Sequence, residues 1–170
     1  MQSGLEEAAH AAARGDAVAF AELVRATQAD VWRACTALVD RDCADDLVQE
    51  TYLRAHRALP RFDGRSSVRT WLLSIARHVC MDELRARSRR RRATAEPDRT
   101  VVADHAGEVE LGLMLGQLDA ERREAFVLTQ LVGLSYLEAA QVCGCPVGTI
   151  RSRVARARSD LVSAIALVEP

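Results

Sequence analysis

Apolar residues recur at steps of three and four along most of this chain, a spacing typical of amphipathic helices. The first half contains three such stretches, which cover residues 17–39, the segment between Asp42 and Pro60, and a segment that starts at Val68. Asp42 is predicted to cap the second helix and Pro60 to end it, because proline cannot continue an α-helix. The third helix is predicted to run past Leu84 into a cluster of arginines.

The apolar spacing fails between residues 89 and 107, where Arg, Ala, Thr, Asp and Pro dominate. Such a composition is typical of a linker between domains. The sequence therefore predicts an N-terminal domain over residues 1–88, a flexible linker over 89–107 and a C-terminal domain over 108–170.

The C-terminal segment carries the start and stop signals of four short helices. One apolar helix precedes Asp119, which is predicted to cap the next. Ser135 and Glu138 are three residues apart, the capping-box pattern that begins a third helix. Gly144 then supplies a tight turn, after which Pro146 suits the first turn of a fourth helix. The last two helices have the proportions of a helix-turn-helix.

Composition agrees with an all-α fold of two small helical domains. Apolar residues make up 49% of the chain, which is enough for a buried core, whereas aromatic residues make up only 4%. So few aromatic side chains favour helices packed with Leu, Val and Ala over a β-sheet. No apolar run reaches the roughly 18 residues that a membrane-spanning helix needs.

The formal net charge of −1 conceals two strongly basic segments. Six arginines and no acid lie between Arg85 and Arg92, and four arginines and no acid lie between Gly148 and Arg158. The acidic residues collect elsewhere, mainly in 40–50 and 96–110. Because the two signs are segregated, the near-neutral total does not argue against a nucleic-acid partner.

The five cysteines are predicted to be small core residues, because they form no C-x-x-C pair and no zinc-ligand spacing. Their odd number and the lack of a signal peptide in the first residues indicate the reducing cytoplasm. The sequence also lacks a Ser-His-Asp pattern and a glycine-rich phosphate loop. We therefore expect no metal, no cofactor, no catalytic residue and no small-molecule substrate, and classify the protein as not an enzyme.

The last predicted helix presents a face suited to DNA. With about 100° of rotation per residue, the buried stripe consists of Val147, Ile150, Val154, Ala157 and Leu161. Polar residues occupy the opposite side and its flanks: Thr149, Ser152 and Arg156, then Arg151, Arg153 and Arg158. Arginine can pair with guanine through two hydrogen bonds, while hydroxyls and further arginines hold phosphates. A solvated helix face is the alternative, but the absence of acids before Asp160 favours DNA binding.

This C-terminal segment resembles a known family. Residues 133–140 (GLSYLEAA) and 145–158 (CPVGTIRSRVARAR) closely resemble region four of the extracytoplasmic-function (ECF) sigma factors, members of the sigma-70 family. The resemblance implies that the last helix reads the −35 promoter element. The residues implied in that contact are Thr149, Arg151, Ser152, Arg153, Arg156 and Arg158. Ala155 departs from the family, in which this position is often larger.

The N-terminal half resembles the same family. Residues 46–51 (DLVQET) resemble region 2.2, which implies that Asp46, Gln49 and Glu50 contact RNA polymerase. Residues 62–67 (FDGRSS), 70–72 (TWL) and 75–77 (IAR) resemble regions 2.3 and 2.4, which open and read the −10 element. The residues implied there are Phe62, Asp63, Ser66, Arg77 and His78.

Two features of this half allow other interpretations. Taken alone, the loop over 62–67 fits either a plain interhelix connection or a pocket for an unstacked base. His78 stands where the family commonly has asparagine, which puts the identity of the base read there in doubt.

The resemblance implies a complete set of partners. Region two is expected to bind the β′ clamp helices of core RNA polymerase and region four the β flap, while both domains bind promoter DNA. An anti-sigma factor is expected to hold the protein inactive. The function implied is that of an alternative sigma factor that directs promoter-specific transcription initiation in the cytoplasm.

A stand-alone helix-turn-helix repressor is the competing hypothesis. It explains residues 135–158 but neither the Asp46–Glu50 helix nor the arginine-tailed helix ahead of the linker. A repressor binds DNA without a partner and protects it symmetrically, whereas a sigma factor needs core polymerase.

Overall fold

The computed structural model describes residues 2–94 and 106–166, which form helices and connecting turns without any strand. The eight α-helices of these ranges are α1 (Gln2–Ala13), α2 (Ala17–Leu38), α3 (Ala44–Ala58), α4 (Val68–Thr94), α5 (Ala106–Gln117), α6 (Ala120–Phe126), α7 (Tyr136–Cys143) and α8 (Val147–Ala166). The predicted all-α fold of two helical units is confirmed.

The N-terminal unit consists of α1–α4, which pack around a shared apolar core. Leu23 and Val31 of α2, Ala55 of α3 and Leu72 of α4 are completely buried at its centre. Helix α1, which the sequence reading did not predict, adds Ala9 to this core. The apolar spacing in 17–39, 42–60 and 68–84 thus marks buried faces, as predicted.

The start of α3 differs from the prediction. Asp42 does not cap it: the N-cap residue is Cys43, which makes no capping bond through its side chain. Instead, Oδ1 of Asp40 accepts a hydrogen bond from the Cys43 amide at 3.0 Å. The other end agrees with the sequence, because a single 3₁₀ turn over Leu59–Arg61, containing Pro60, follows α3.

Helix α4 is anchored at its start by a distant residue and runs beyond its predicted end. Oε1 of Glu6 in α1 accepts the amide hydrogen of Val68 at 3.1 Å, which satisfies a donor that the first helical turn leaves free. The helix continues to Thr94, past residue 89 where the linker was predicted to begin. Ion pairs of Glu83 with Arg87 (2.7 Å) and Arg90 (2.9 Å) support this extension.

The C-terminal unit consists of α5–α8, as the start and stop signals predicted. Asp119 caps α6 by accepting the Glu121 amide hydrogen at 3.0 Å. After α6 the chain makes one π-helical turn over Val127–Leu131. Leu128 of this turn and Ile150 of α8 are fully buried in the core.

The two units contact each other directly. Helix α4 packs against α7, and α2 packs against the π-helical turn. The described parts of the two domains are therefore docked, although the chain between α4 and α5 was predicted to be flexible.

Candidate nucleic-acid and polymerase surfaces

Helices α7 and α8 form the predicted helix-turn-helix. The capping box is complete: the Ser135 hydroxyl accepts the Glu138 amide hydrogen at 3.2 Å, and the Glu138 carboxylate accepts the Ser135 amide hydrogen at 2.9 Å. The Ser135 hydroxyl also donates to that carboxylate, and these bonds lower the pKa of Glu138. Gly144 turns the chain with φ of 64°, in the left-handed region where glycine is favoured.

Helix α8 buries one side and exposes the other, as predicted. Ile150, Val154 and Ala157 are buried, whereas Arg151, Ser152 and Arg156 are exposed, with Thr149 half-buried beside them. The guanidinium groups of Arg151 and Arg156 form no ion pair with residues in 2–94 or 106–166. This face is therefore open and positively charged.

Two of the four arginines assigned to the −35 element have side-chain partners within the domain. Arg153 is half-buried and pairs with the Glu121 carboxylate of α6, while its Nη1 lies 3.7 Å from the sulfur of Cys145. Arg158 is exposed and donates to the Gln130 side chain at 2.7 Å. About 100° of rotation per residue places position 153 beside the buried stripe, which explains why its side chain turns toward α6.

The loop before α4 is built around an aromatic pair. The rings of Phe62 and Trp71 lie 5.1 Å apart between centroids, and both side chains are half-buried. Asp63 is exposed and pairs with Arg65 at 2.8 Å. Ser66 is half-buried in the same loop. Phe62 therefore packs against the core and stays partly exposed.

His78 and Arg77 are neighbours on α4 but have different surroundings. His78 is exposed, and its Nδ1 lies 2.7 Å from the Ser74 carbonyl oxygen of the preceding turn. Arg77 instead reaches the C-terminal unit, where it pairs with Glu124 at 2.5 Å and 3.2 Å. Burial opposes the charge of Arg77, but the bonds and attraction from Glu124 prevail and raise its pKa.

A second arginine of α4 also joins the two units. Arg69 of α4 donates to Asp30 of α2 and, through Nη2, to the Val132 carbonyl oxygen, both at 2.6 Å. Arg69 thus links α2, α4 and the end of the π-helical turn. The docked arrangement is held by charged hydrogen bonds as well as by packing.

The three residues assigned to polymerase lie on one side of α3. Asp46 and Gln49 are exposed, and Glu50 is half-buried. Glu50 accepts from Arg54 at 2.7 Å, and Arg54 donates in turn to Asp82 of α4 at 2.8 Å. Asp46 and Gln49 are therefore more open to a partner than Glu50.

An exposed apolar residue that was not among the three predicted polymerase contacts lies close to them. Leu53, one turn beyond Gln49, keeps 46% of its surface exposed. It borders a shallow apolar depression whose other lining residues are Phe20, Gln49, Tyr52 and His56. In the sequence, such a contact is signalled by a leucine that falls outside the apolar stripe of an amphipathic helix.

The five cysteines carry free thiols in two settings. Cys35 and Cys80 are fully buried, while Cys43, Cys143 and Cys145 are half-buried. Burial is the main cause that raises the pKa of Cys43 and of Cys143 to about 12.

Within the described ranges, no three His, Cys, Asp or Glu side chains gather as a metal site, and no helix has the length and apolarity to cross a membrane.

Both units match known family descriptions. Residues 23–90 match the family described as Sigma-70 region 2, and residues 108–161 match Sigma-70, region 4. The chain is 52% identical over 159 residues to the ECF RNA polymerase sigma factor SigC of Mycobacterium tuberculosis, which covers 89% of this chain and 86% of that protein.

Two solved structures are similar over most of the chain. One is CnrH in complex with the cytosolic domain of CnrY, with 30% identity, a TM-score of 0.79 and coverage of 98% of this chain and 99% of that one. The other is the sigma factor RpoE in complex with the anti-sigma factor NepR from Bartonella quintana, with 29% identity and a TM-score of 0.74, covering 86% and 96%.

Proposed function

Because this chain belongs to the extracytoplasmic-function group of the sigma-70 family, we propose that three separate surfaces carry out its work as an alternative sigma factor. It directs RNA polymerase to promoters, and proteins of this family are initiation factors rather than enzymes. The main support for three separate surfaces is that the unit α1–α4 precedes the helix-turn-helix and has exposed surfaces of its own.

The exposed face of α8 is proposed to enter the major groove at the −35 element. Thr149, Arg151, Ser152 and Arg156 would contact base edges there, because their side chains share the open side of the helix. Arg158, on the flank, would hold a phosphate. Arg153 would do the same only after leaving its ion pair with Glu121, so its share of the binding energy should be smaller.

The end of the N-terminal unit that carries the 62–67 loop is proposed to handle the −10 element. The loop of Phe62, Asp63 and Ser66 combines a ring edge with small polar groups, which suits an unstacked base. His78 is exposed for contact with the same strand. Arg77 becomes available to DNA only when Glu124 is withdrawn, so the docked units must separate first.

The side of α3 that carries Asp46, Gln49 and Glu50 is proposed to bind the β′ clamp helices. Two open polar side chains beside the exposed Leu53 resemble an interface with an apolar centre and a polar rim. The C-terminal unit is proposed to bind the β flap. We place this activity in the cytoplasm, where RNA polymerase works.

Domain boundaries follow from the sequence pattern: residues 1–88 for region two, 89–107 for the linker and 108–170 for region four. Helix α4 extends to Thr94, so the first six residues of the proposed linker are helical.

An anti-sigma factor is proposed to hold the two units in an inactive arrangement. Support comes from RpoE, a similar sigma factor whose structure was solved with the anti-sigma factor NepR. Such a partner would stabilise a state in which the units cannot reach the −10 and −35 elements at once.

Run-off transcription tests the proposed function. Purified protein is added to core polymerase with a genomic promoter library, and transcript starts are mapped. A shared pair of −10 and −35 sequences upstream of the starts is expected. Sequence-specific, symmetric protection of DNA by the protein alone would overturn the proposal and favour a repressor.

A further inference from the structure

The arginines at the end of α4 divide into two sets by their position around the helix. Taking His78 as the reference direction and about 100° per residue, the side chains of Arg85, Arg89 and Arg92 return to within about 40° of it. Arg87 lies on the opposite side of the helix. A single straight stripe of positive charge thus continues from the exposed His78.

The set on the other side is neutralised by the protein itself. Arg87 pairs with Asp40 and with Glu83 at 2.7 Å, and Arg90 pairs with Glu83 at 2.9 Å. Arg87 thus ties α4 to the turn between α2 and α3, while Arg90 pairs within α4 itself.

The stripe of Arg85, Arg89 and Arg92 has no comparable neutralisation. Arg89 and Arg92 are exposed and make no ion pair with the residues for which the structure gives positions. Arg85 keeps 70% of its side chain exposed and lies 3.5 Å from Asp82, whose shorter bond of 2.8 Å goes to Arg54. Among the residues that the structure describes, Asp82 is the one carboxylate paired with the stripe, which therefore carries a net positive charge.

We propose that Arg85, Arg89 and Arg92 bind phosphates of the promoter duplex immediately upstream of the −10 element. The inference rests on the proposed role of the 62–67 loop and His78 at that element. The loop precedes α4, and the unit assigned to the −35 element follows it. The proposal therefore places the far end of α4 on the upstream side, toward the −35 element.

The dimensions fit a phosphate contact of this kind. A helix rises about 1.5 Å per residue, so the stripe begins about 10 Å and ends about 21 Å beyond His78. At about 3.4 Å per base pair, this span covers roughly base pairs three to six upstream of the base at His78. Backbone contacts here add affinity without sequence preference.

The test measures the salt dependence of promoter binding by holoenzyme made with the full chain. Arg89→Gln with Arg92→Gln removes two stripe charges, and Arg90→Gln with Arg91→Gln removes two from the other side as the matched control. Circular dichroism checks that both variants remain helical. Two probes carry a −10 element mapped by run-off transcription: in one the duplex extends upstream for two helical turns, in the other it stops one base pair upstream.

On the long probe, the stripe variant should reduce the slope of log Kd against log salt by about 2, as expected for two lost phosphate contacts. On the short probe it should bind like the unaltered protein, and the control should change the slope by less than about 0.5 on either probe. Unchanged slopes, equal changes on both probes, or equal changes in the control would each overturn the proposal.

Binding to core polymerase without DNA completes the test. A stripe variant that assembles normally supports the DNA contact, whereas one that loses holoenzyme assembly would assign the stripe to an acidic polymerase surface and overturn the proposal. A failure of the underlying function is distinguishable, because the unaltered holoenzyme would then not discriminate a mutated −10 sequence at any salt concentration.

Discussion

Arg77 and Glu124 are 47 residues apart in sequence, yet their side chains form a two-bonded ion pair across the boundary between the two units. The Glu124 side chain is only 4% exposed and that of Arg77 22% exposed, so solvent screens the pair weakly. Arg77, which is assigned to the −10 element, is thus paired with the Glu124 carboxylate of the region-four unit.

Neutralising Glu124 should loosen the docked arrangement. In Glu124→Gln, the half-buried guanidinium of Arg77 loses its charged partner, at a cost of about 1–3 kcal/mol to docking. Small-angle X-ray scattering should then show a larger radius of gyration for the free protein. Glu121→Gln is the matched control, since Glu121 pairs with Arg153 inside its own unit. Identical scattering from both variants would contradict the expectation.

Base preference at the −35 element should depend on Arg156 more than on Arg158. If Arg156 pairs with a base, Arg156→Ala should cost about 1–3 kcal/mol and relax the preference at one position, measured by competition binding to single-base variants of the element. Arg158→Ala should weaken binding evenly across those sequences. Equal and sequence-independent losses in the two variants would mean that the groove-facing side is wrongly assigned.

Reversing the charge of Asp46 should impair assembly with core polymerase. Asp46→Arg places a positive charge where a basic partner surface is expected, so Kd should rise at least about tenfold, or about 1.4 kcal/mol. Fluorescence anisotropy of labelled protein titrated with core enzyme measures this. Glu7→Arg makes the same change at an exposed carboxylate of α1 and should leave Kd unaltered. Normal affinity of a folded Asp46→Arg variant would remove α3 from the interface.

The capping box predicts a pH-dependent contribution to stability. The pKa of Glu138 is lowered from its usual 4.5 by its bonds to Ser135, so its stabilising effect is complete above pH 4.5 and is lost as the pH falls through the lowered value. Ser135→Ala should cost about 1 kcal/mol in urea unfolding at pH 7 and less at pH 3. Ser163→Ala, an exposed serine within α8, should cost less at both pH values. A Ser135→Ala loss that does not vary with pH would count against the carboxylate's part in the cap.

Trypsin should spare the last turns of α4. Cleavage after Arg89 to Arg92 requires local unfolding, because these residues are helical in the free protein. The early cleavage expected of a linker should therefore not fall within Arg89–Arg92, as mass spectrometry of the first fragments would show. Ser88→Pro breaks the helix upstream at a cost of about 3 kcal/mol and should expose those sites. Rapid cleavage at Arg89 in the unaltered protein would mean that the extension frays.

Local patterns could be predicted from the sequence because they depend on neighbouring residues. The capping box at Ser135, the turn at Gly144 and the buried face of α8 each follow from spacings of three or four residues. The cap of α3 was predicted wrongly because several acids precede the helix. The backbone conformation of the turn between α2 and α3 decides that Asp40, and not Asp42, accepts the hydrogen bond from the Cys43 amide.

Contacts between distant residues were not predictable in this way. Nothing in the spacing of Arg77 or Arg153 indicates that Glu124 and Glu121 become their partners. Helix α1 was also missed, because its alanine-rich face lacks the long apolar side chains that reveal a helix by periodicity. The availability of the residues that the sequence assigns to DNA therefore depends on the packing of the helices, which the spacing of residues along the chain does not indicate.

The two tryptophans of the chain stand beside different surfaces. Trp71 lies against Phe62 at the 62–67 loop, whereas Trp32 donates from its indole nitrogen to Asp45 of α3 at 3.1 Å. Entry of a base into the loop, as proposed, should change the environment of Trp71, and binding of the proposed partner to α3 should change that of Trp32. In the Trp32→Phe protein the fluorescence of Trp71 should report strand opening, and in the Trp71→Phe protein that of Trp32 should report polymerase binding. Stopped-flow mixing of each variant can then give the order of the two events without an attached dye.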